Sequence, residues 1–341
     1  MSGNNSIGCQ VQLCLEKIGT RVNTRNIAFQ VTPNLNNGKL LLNGFVQFPQ
    51  QKTAILNTLG KIPAIQKKKP AVLSRIKVLS KKKLRFFQVK FPYARLRLEP
   101  RKNGEMGTQV LYGSFVLVYF SKGRYHYCSD PSGYLGYILK EELQEKTRKQ
   151  YLRWLNGQRG RILKTTRVGN MLLPLGAEFE CPDNEHILLP SGKIIALGKK
   201  HLLSYNPSQN KKVKTILKHA QAYLGTPYKW GGLSFRGIDC SGFTQLVYLL
   251  LHIPLPRDTA QQIRFGRQVG MLGDFSDVLP GDLLFFMGGH GGIIHVGISL
   301  GQDRFIHATI KEGITESCMD DPDMGGNKYR NWYILGRRIL V

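Results

Sequence analysis

Five apolar residues that follow residue 239 recur at the spacing of a single helix face. They are Phe243, Leu246, Val247, Leu250 and Leu251. The spacing i, i+3, i+4, i+7 and i+8 predicts a helix with one buried face that starts at Asp239 or Cys240. A thiol at a helix N-terminus lies beside unsatisfied backbone N–H groups and the positive end of the helix dipole, which together favour the thiolate. The pattern makes Cys240 either a candidate nucleophile or a buried cysteine at a capped helix start.

Two histidines occur in the strands predicted after this helix. The predicted strands are residues 283–286, 295–300 and 304–309. If Gly297 lies opposite His307, then His295 is the diagonal neighbour of His307 on the same face, close enough for the two imidazoles to interact. One imidazole can accept the thiol proton while the other orients it. A zinc site at Cys240 and both histidines is the alternative, but the set lacks a nearby carboxylate or second thiol, so no metal is predicted.

The rest of the chain predicts smaller domains ahead of this one, since at about 150 residues per domain a 341-residue chain fits two to four domains. The expected segments are residues 1–86, 87–145, 146–210 and 211–341. The first is a small α+β unit with a hairpin turn at Asn43-Gly44. The second has short strands with turns about every ten residues, which predicts a small barrel, and the third predicts another barrel plus a polar linker.

Positive charge is concentrated in the first two thirds of the chain. Residues 1–215 contain 37 Lys or Arg against 11 Asp or Glu, whereas residues 216–341 contain 12 against 11, for a formal total of +27. This basic front half of the chain, residues 1–215, favours an anionic partner, for example a cell-wall polymer. A generally basic surface explains the charge equally well.

The expected compartment and the state of the cysteines are inferred from sequence patterns that are absent. No apolar stretch is long and unbroken enough for a transmembrane helix, and the first twenty residues do not have the pattern of a secretory signal. A cytoplasmic location is therefore expected. The six cysteines include no CxxC pair, which argues against a zinc ribbon or a dense disulfide framework.

Several motifs in the last segment together resemble a known family. They are LGTPYKWGG, DCSGF, PLPRDTAQQ, LPGDLLFF, HVGISL and FIHA, in that order over residues 214–341. The set resembles the NlpC-type family of papain-like cysteine peptidases, which cut bacterial cell-wall peptides. The resemblance implies an α+β fold in which the helix bearing the cysteine packs on an antiparallel sheet. By position, it implies that Cys240 is the nucleophile, His295 the general base, His307 the orienting residue and Tyr228 a hydroxyl that helps stabilise the oxyanion.

The barrel ahead of the last domain resembles a bacterial SH3 module over about fifty-five residues, from Val89 to Leu143, with its motifs between Arg95 and Tyr137. Together the two parts resemble γ-D-glutamyl-L-diamino acid endopeptidases of murein peptide recycling. In that branch the barrel closes one end of the cleft, so that only peptides with a free amino-terminal L-alanine fit. The resemblance implies the following substrate-binding residues: Asp239 and Ser241 for the ammonium group, Glu105 and Tyr134 from the barrel, and Trp230 and Asp258 along the cleft. A solvated Glu105 and a core Tyr134 are the alternative.

The function expected from the sequence is that of a cysteine endopeptidase. It hydrolyses the γ-D-glutamyl bond to meso-diaminopimelate or L-lysine in murein peptides through a thioester, with no metal or organic cofactor. One alternative is a hydrolase of intact peptidoglycan held on the wall by its SH3 modules. Another, from a different class, is a non-catalytic protein that binds an anionic polymer through its basic front half. Nucleic acid is not an expected partner.

Overall fold

The computed structural model describes residues 7–20, 22–81, 83–198, 201–204, 213–289 and 291–340. Helices and antiparallel sheets both occur in it, which places the chain in the α+β class. The first elements are α1 (Ile7–Gly19), β1 (Phe29–Asn36), β2 (Lys39–Val46), α2 (Pro49–Leu59), α3 (Pro63–Lys68) and β3 (Ala71–Val78). They form a three-stranded sheet in the order β1-β2-β3, with β1 antiparallel and β3 parallel to β2. The helix α1 packs on β1 through its apolar face.

The hairpin of this unit turns at a different dipeptide from the one expected. Asn37 and Gly38 both have positive φ, of 47° and 71°, which is the conformation that a two-residue Asn-Gly turn requires. The expected pair, Asn43-Gly44, lies inside β2, where Gly44 pairs with Val31. A side chain at Gly44 would collide with the Gln30 carbonyl. This glycine therefore allows β1 and β2 to lie close together and does not form a turn.

A second sheet follows, with seven strands. The strands are β4 (Arg85–Val89), β5 (Tyr93–Arg97), β6 (Met106–Leu111), β7 (Phe115–Lys122), β8 (Tyr125–Ser129), β9 (Leu135–Leu139) and β10 (Leu143–Lys146), in the order β10-β4-β7-β8-β9-β5-β6. Arg85 and Phe86, which the sequence assigned to the first segment, belong to β4 because they pair with Val118 and Leu117 of β7.

A smaller five-stranded sheet comes next. Its elements are α4 (Arg148–Asn156), β11 (Arg159–Ile162), β14 (Glu178–Glu180), β15 (His186–Leu188), β16 (Ile194–Ala196) and β17 (Leu202–Ser204), with the separate hairpin β12 (Thr166–Val168) and β13 (Met171–Leu173). Thr147 caps α4, since its Oγ1 accepts a hydrogen bond from the Gln150 backbone N–H at 3.2 Å. The polar linker was expected at residues 204–212; Ser204 is the last residue of β17, and residues 205–212 lie outside the described residues.

The last part of the chain consists of helices on one six-stranded antiparallel sheet. Its elements are α5 (Val213–Gln221), β18 (Leu233–Ser234), β19 (Gly237–Ile238), α6 (Cys240–Leu249), α7 (Thr259–Gln262), β20 (Arg267–Met271), β21 (Leu283–Met287), β22 (Ile293–Gly301), β23 (Arg304–Thr309), β24 (Gly313–Cys318), α8 (Gly326–Trp332) and β25 (Tyr333–Arg338). The large sheet has the order β20-β25-β21-β22-β23-β24. The helix α6 packs on β22 and β23, and Phe243, Leu246 and Val247 are fully buried there, which confirms the predicted helix. The expectation of a single buried face is wrong, because every residue from Cys240 to Tyr248 is buried, and Leu250 and Leu251 lie beyond the last helical residue, Leu249.

The edge strand β6 of the seven-stranded sheet lies directly against this last part. Thr108 Oγ1 accepts a hydrogen bond from Arg257 Nε at 2.8 Å, and Gln109 Oε1 accepts one from the Leu233 backbone N–H at 2.9 Å. Gly231 has a φ of +70°, and a side chain there would collide with the backbone of β6. These contacts hold the second sheet beside the start of α6. Within the described residues, no helix is long and apolar enough to cross a membrane.

Candidate active site

Cys240 is the first residue of α6, and Asp239 is the N-cap. The Asp239 Oδ1 atom accepts a hydrogen bond from the Gly242 backbone N–H at 2.8 Å, which satisfies one of the free donors at this helix end. Cys240 is buried, and its thiol is hydrogen bonded to the backbone N–H of Val296 in β22. The nucleophile candidate therefore lies against the strand that carries His295.

The Cys240 thiol is neutral in the resting site. Burial, and then the nearby Asp239 carboxylate, raise the pKa of this thiol to about 11, and the positive charge of Arg257 and backbone hydrogen bonds do not compensate. The expectation that the helix N-terminus lowers this pKa is wrong, because the cost of burying a thiolate exceeds the effect of the helix end. Burial also lowers the pKa of His295 to about 4, helped by Lys328. At neutral pH the site combines a thiol with an uncharged imidazole.

The two histidines contact each other as their register predicts. Gly297 of β22 pairs with His307 of β23, so His295 is the diagonal neighbour of His307. The His295 Nε2 and His307 Nδ1 atoms lie 2.7 Å apart, which confirms the predicted interaction of the imidazoles. On its other side, the fully buried His307 places Nε2 at 3.0 Å from Ser317 Oγ of β24.

This chain of hydrogen bonds has two tautomer assignments, since the positions of the hydrogens follow from the network. In the first, His307 donates from Nε2 to Ser317 and accepts at Nδ1 from the Nε2–H group of His295. The Nδ1 atom of His295 is then unprotonated and free to accept a proton, which is the form that a general base needs. In the second assignment each hydrogen bond runs in the opposite direction. Ser317 donates to Nε2 of His307, the Nδ1–H group of His307 donates to Nε2 of His295, and His295 carries its own proton on Nδ1. Burial keeps the pKa of His307 well below its ordinary value, so this ring is neutral in either case.

Tyr228 lies beside the nucleophile. Its backbone bridges to Ile238, two residues before Cys240. Burial, and then the proximity of Cys240 and Asp239, raise the pKa of Tyr228 well above its ordinary value. The phenol therefore stays protonated and can donate a hydrogen bond.

A pocket of about 350 Å³ opens at Cys240, between the seven-stranded sheet and the last domain. Seven of the residues singled out from the sequence line it: Cys240, Asp239, Ser241, Trp230, Asp258, Glu105 and Tyr134. Glu105 and Tyr134 come from the loops that directly precede β6 and β9 of the seven-stranded sheet. The Glu105 carboxylate accepts a hydrogen bond from Trp230 Nε1 at 3.3 Å, and the Tyr134 hydroxyl donates to Asp258. Tyr134 belongs to the buried core of the seven-stranded sheet and also lines the pocket, and Glu105 is an exposed side chain at the pocket. Their roles in substrate binding stay a prediction.

Arg257 organises the floor of this pocket, although the sequence did not single it out. Its guanidinium is buried and donates to Asp239 Oδ2 at 2.7 Å, to Ser241 Oγ at 2.9 Å and to the carbonyl of Gly232 at 3.3 Å, besides its bond to Thr108. The arrangement neutralises Asp239 and fixes it beside the nucleophile. The only signal in the sequence was the position of Arg257 inside the motif PLPRDTAQQ.

A larger cavity, of about 800 Å³, lies on the other side of Trp230 and Ile294, which line both spaces. Tyr228 and His295 line it, so the expected base and oxyanion donor face this second space. Its charged lining residues are Lys311, Glu312, Glu316, Asp323 and Lys328. Trp230 is 65% exposed and stands on the rim between the two spaces.

The small pocket and the larger cavity adjoin at Trp230 and Ile294 and are together called the cleft. Nine of the ten residues named from the sequence line it, and His307 is buried behind His295. Ser317 and Arg25, which also lie at this cleft, were not predicted, because a lone serine and a lone arginine far apart in sequence carry no local pattern. Among the described residues, no three His, Cys, Asp or Glu side chains are grouped as a metal site would need.

Comparison with known proteins gives consistent matches. Residues 225–332 match the model of the NlpC/P60 family. The protein named "Probable endopeptidase NlpC" of Escherichia coli strain K12 is 42% identical over 103 residues, which are 30% of this chain and 64% of that protein. The gamma-D-glutamyl-L-lysine dipeptidyl-peptidase of Bacillus subtilis strain 168 is 30% identical over 228 residues, 59% of this chain and 71% of that protein.

A solved structure shares the fold over a wider span. The crystal structure of an NlpC/P60 family protein from Bacillus cereus ATCC 10987 aligns with a TM-score of 0.65 and 21% identity, and the alignment covers 75% of this chain and 100% of that one. The span therefore extends beyond the 108 residues matched by the family model. Sequence identity over most of a curated relative, the family model and the shared architecture agree, and this chain belongs to the NlpC/P60 family.

Proposed function

We propose that this chain is a cysteine endopeptidase that hydrolyses the γ-D-glutamyl-L-diamino acid bond of murein peptides with a free amino-terminal L-alanine. The observation that carries the proposal is that Cys240 lies at a small carboxylate-lined pocket and begins a helix packed on the strand of His295, whose imidazole is hydrogen bonded to His307. The name of the Bacillus subtilis relative supports the same bond type. The diamino acid is meso-diaminopimelate or L-lysine.

The geometry supports a two-step acyl transfer. As Cys240 Sγ attacks the γ-carbonyl carbon, Nδ1 of His295 takes the thiol proton, because both groups are neutral beforehand. Tyr228 donates a hydrogen bond to the developing oxyanion. The C–N bond then breaks, the imidazolium returns the proton to the leaving amine, and a thioester remains. Water that loses a proton to the same imidazole hydrolyses the thioester and restores the thiol.

The small pocket supports selection of a charged amino terminus. Glu105, Asp239 and Asp258 present carboxyl groups to a space of about 350 Å³ that is walled by the seven-stranded sheet. An ammonium group placed there can donate charge-assisted hydrogen bonds to these carboxyl groups, which an acylated nitrogen cannot do. The larger cavity beyond Trp230 would receive the diamino acid.

The two sheets ahead of the peptidase part are proposed to be SH3-like modules, the first at residues 85–146 and the second at 159–204. Short antiparallel strands in both sheets support this. Since free murein peptides arise during recycling, the proposal places the enzyme in the cytoplasm. Binding of an anionic polymer by the basic residues 1–215 stays a prediction from their net charge of +26.

Mass analysis of products tests the proposal. Wild-type protein incubated with L-Ala-γ-D-Glu-meso-diaminopimelate is expected to release the dipeptide L-Ala-γ-D-Glu and free diaminopimelate. Cys240→Ala should release neither and should melt like the wild type, while Cys14→Ala in α1 serves as the matched thiol control with full activity. Cleavage elsewhere in the peptide, or full activity of Cys240→Ala, would contradict the proposal. Solubilisation of whole sacculi at a higher rate would favour the alternative of a hydrolase of intact wall.

A further inference from the structure

A loop of the N-terminal unit forms part of the wall of the small pocket. Arg25 lies between α1 and β1, and its carbonyl accepts a hydrogen bond from the Leu135 backbone N–H at 2.6 Å. The adjacent Asn26 accepts one from Gln261 Nε2 at 2.6 Å and donates to the Ser132 carbonyl. The loop therefore contacts the seven-stranded sheet and the peptidase part at once, and the pocket is built from three parts of the chain.

The Arg25 side chain is directed into this pocket. It lines the space together with Glu105, Tyr134 and Asp258, and its Cζ atom lies 5.8 Å from the centre of the Tyr134 ring. Its charge acts on both Tyr134 and Asp258, and it lowers the pKa of each against the larger effect of burial. Arg25 as a whole residue is half-buried. A cation at this position faces whatever occupies the pocket.

The guanidinium of Arg25 has N–H donors that can bind a ligand, whereas the donors of Arg257 are already used within the protein. The described residues that line the pocket include two cations, and the donors of the buried Arg257 are directed to Asp239, Ser241, Thr108 and a carbonyl. For Arg25, the described part of the chain provides the contact with the Tyr134 face but no ion pair and no side-chain hydrogen bond. Its guanidinium is therefore available to an anionic group of a ligand.

The proposed substrate brings such a group. Because the bond to be cut involves the γ-carboxyl, the α-carboxyl of the D-glutamyl residue is free and ionised. The peptide thus presents one ammonium and one carboxylate within two residues of the scissile bond. The pocket presents carboxyl groups and one unengaged guanidinium, so the two sets of charges are complementary.

We propose that Arg25 binds the α-carboxylate of the D-glutamyl residue, which makes the N-terminal unit a determinant of substrate specificity. This inference rests on the proposed function. It predicts that the enzyme distinguishes γ-D-glutamyl peptides from γ-D-isoglutaminyl peptides, in which the same carboxylate is an amide.

The test compares two tripeptides, L-Ala-γ-D-Glu-meso-diaminopimelate and its D-isoglutaminyl analogue, by kcat/KM. Wild type should prefer the acid by about tenfold to a hundredfold, the range of a charge-assisted hydrogen bond. Arg25→Gln should lose that factor on the acid and stay within about twofold on the amide, and Arg25→Lys should retain part of the preference. Arg75→Gln on the exposed side of β3 is the matched control and should behave like the wild type.

Three results would overturn the proposal. Equal losses on both peptides would show that Arg25 only stabilises the pocket, and unchanged rates on both would show no role. A gain on N-acetylated peptide with the acid preference intact would make Arg25 a steric gate. Failure of the proposed function is recognised separately, because wild type would then cut neither tripeptide, and the present inference would fall with it.

Discussion

Replacing His307 tests whether this residue orients the base. His307 is fully buried, and its Nδ1 atom lies 2.7 Å from His295 Nε2. An alanine there removes the partner of a buried imidazole N–H and leaves that group unpaired, which costs about 1–3 kcal/mol. If His295 depends on this bond for its orientation in the transition state, the loss corresponds to a decrease of roughly 5- to 150-fold in kcat/KM.

Asparagine at position 307 should recover most of this loss. Its Oδ1 atom is two bonds from Cβ, as Nδ1 of histidine is, so it can accept the same hydrogen bond from His295. We expect His307→Asn to lie within about tenfold of wild type and His307→Gln, whose oxygen is one bond further out, to be slower. The assay is kcat/KM on the free tripeptide, with thermal melts to exclude misfolding. If His307→Asn were as inactive as Cys240→Ala, the orienting role would be refuted.

Three further predictions concern the nucleophile and its surroundings. With a thiol pKa of about 11, only about one Cys240 in ten thousand is a thiolate at pH 7. The rate at which iodoacetamide alkylates Cys240, measured by peptide mapping, should therefore rise about tenfold per pH unit between pH 7 and 10. Fast labelling that does not depend on pH would instead indicate a preformed thiolate–imidazolium pair. Arg257→Met should lower the free energy of unfolding by about 3–5 kcal/mol, because it leaves Asp239 buried without its partner, whereas removal of the exposed Arg85 pair should cost less than about 1 kcal/mol in the same denaturant titration. Tyr228→Phe should reduce kcat by about tenfold to a hundredfold with little change in KM, and an unchanged kcat would remove it from the oxyanion site.

Local patterns in the sequence predicted the elements of the candidate site well. The apolar spacing after Asp239 predicted α6, and the alternation around His295 predicted β22 and β23 with the correct register. Both patterns depend on side chains that are close in sequence, and each recurs often enough to identify a helix or a strand. The diagonal pairing of His295 and His307 could therefore be predicted from the sequence alone.

Features that depend on distant contacts were not predictable in the same way. The sequence assigned the hairpin to Asn43-Gly44, because the apolar residues on both sides look like two strands, yet they form the single strand β2. The thiol pKa was expected to fall, but packing of β22 against Cys240 buries the thiol, and burial dominates. The role of Arg257 depends on Thr108, which is 149 positions away.

The central claim is that the cleft cuts peptides only when their amino terminus is a free ammonium group. The most direct measurement is the ratio of kcat/KM for L-Ala-γ-D-Glu-meso-diaminopimelate and for its N-acetyl derivative, determined for wild type and for Glu105→Gln. We predict a ratio of at least about a hundred for wild type, equivalent to about 2.7 kcal/mol, and a smaller ratio for Glu105→Gln, because the acetylated nitrogen cannot donate charge-assisted hydrogen bonds to the pocket carboxylates. Equal rates on the two peptides would contradict this account.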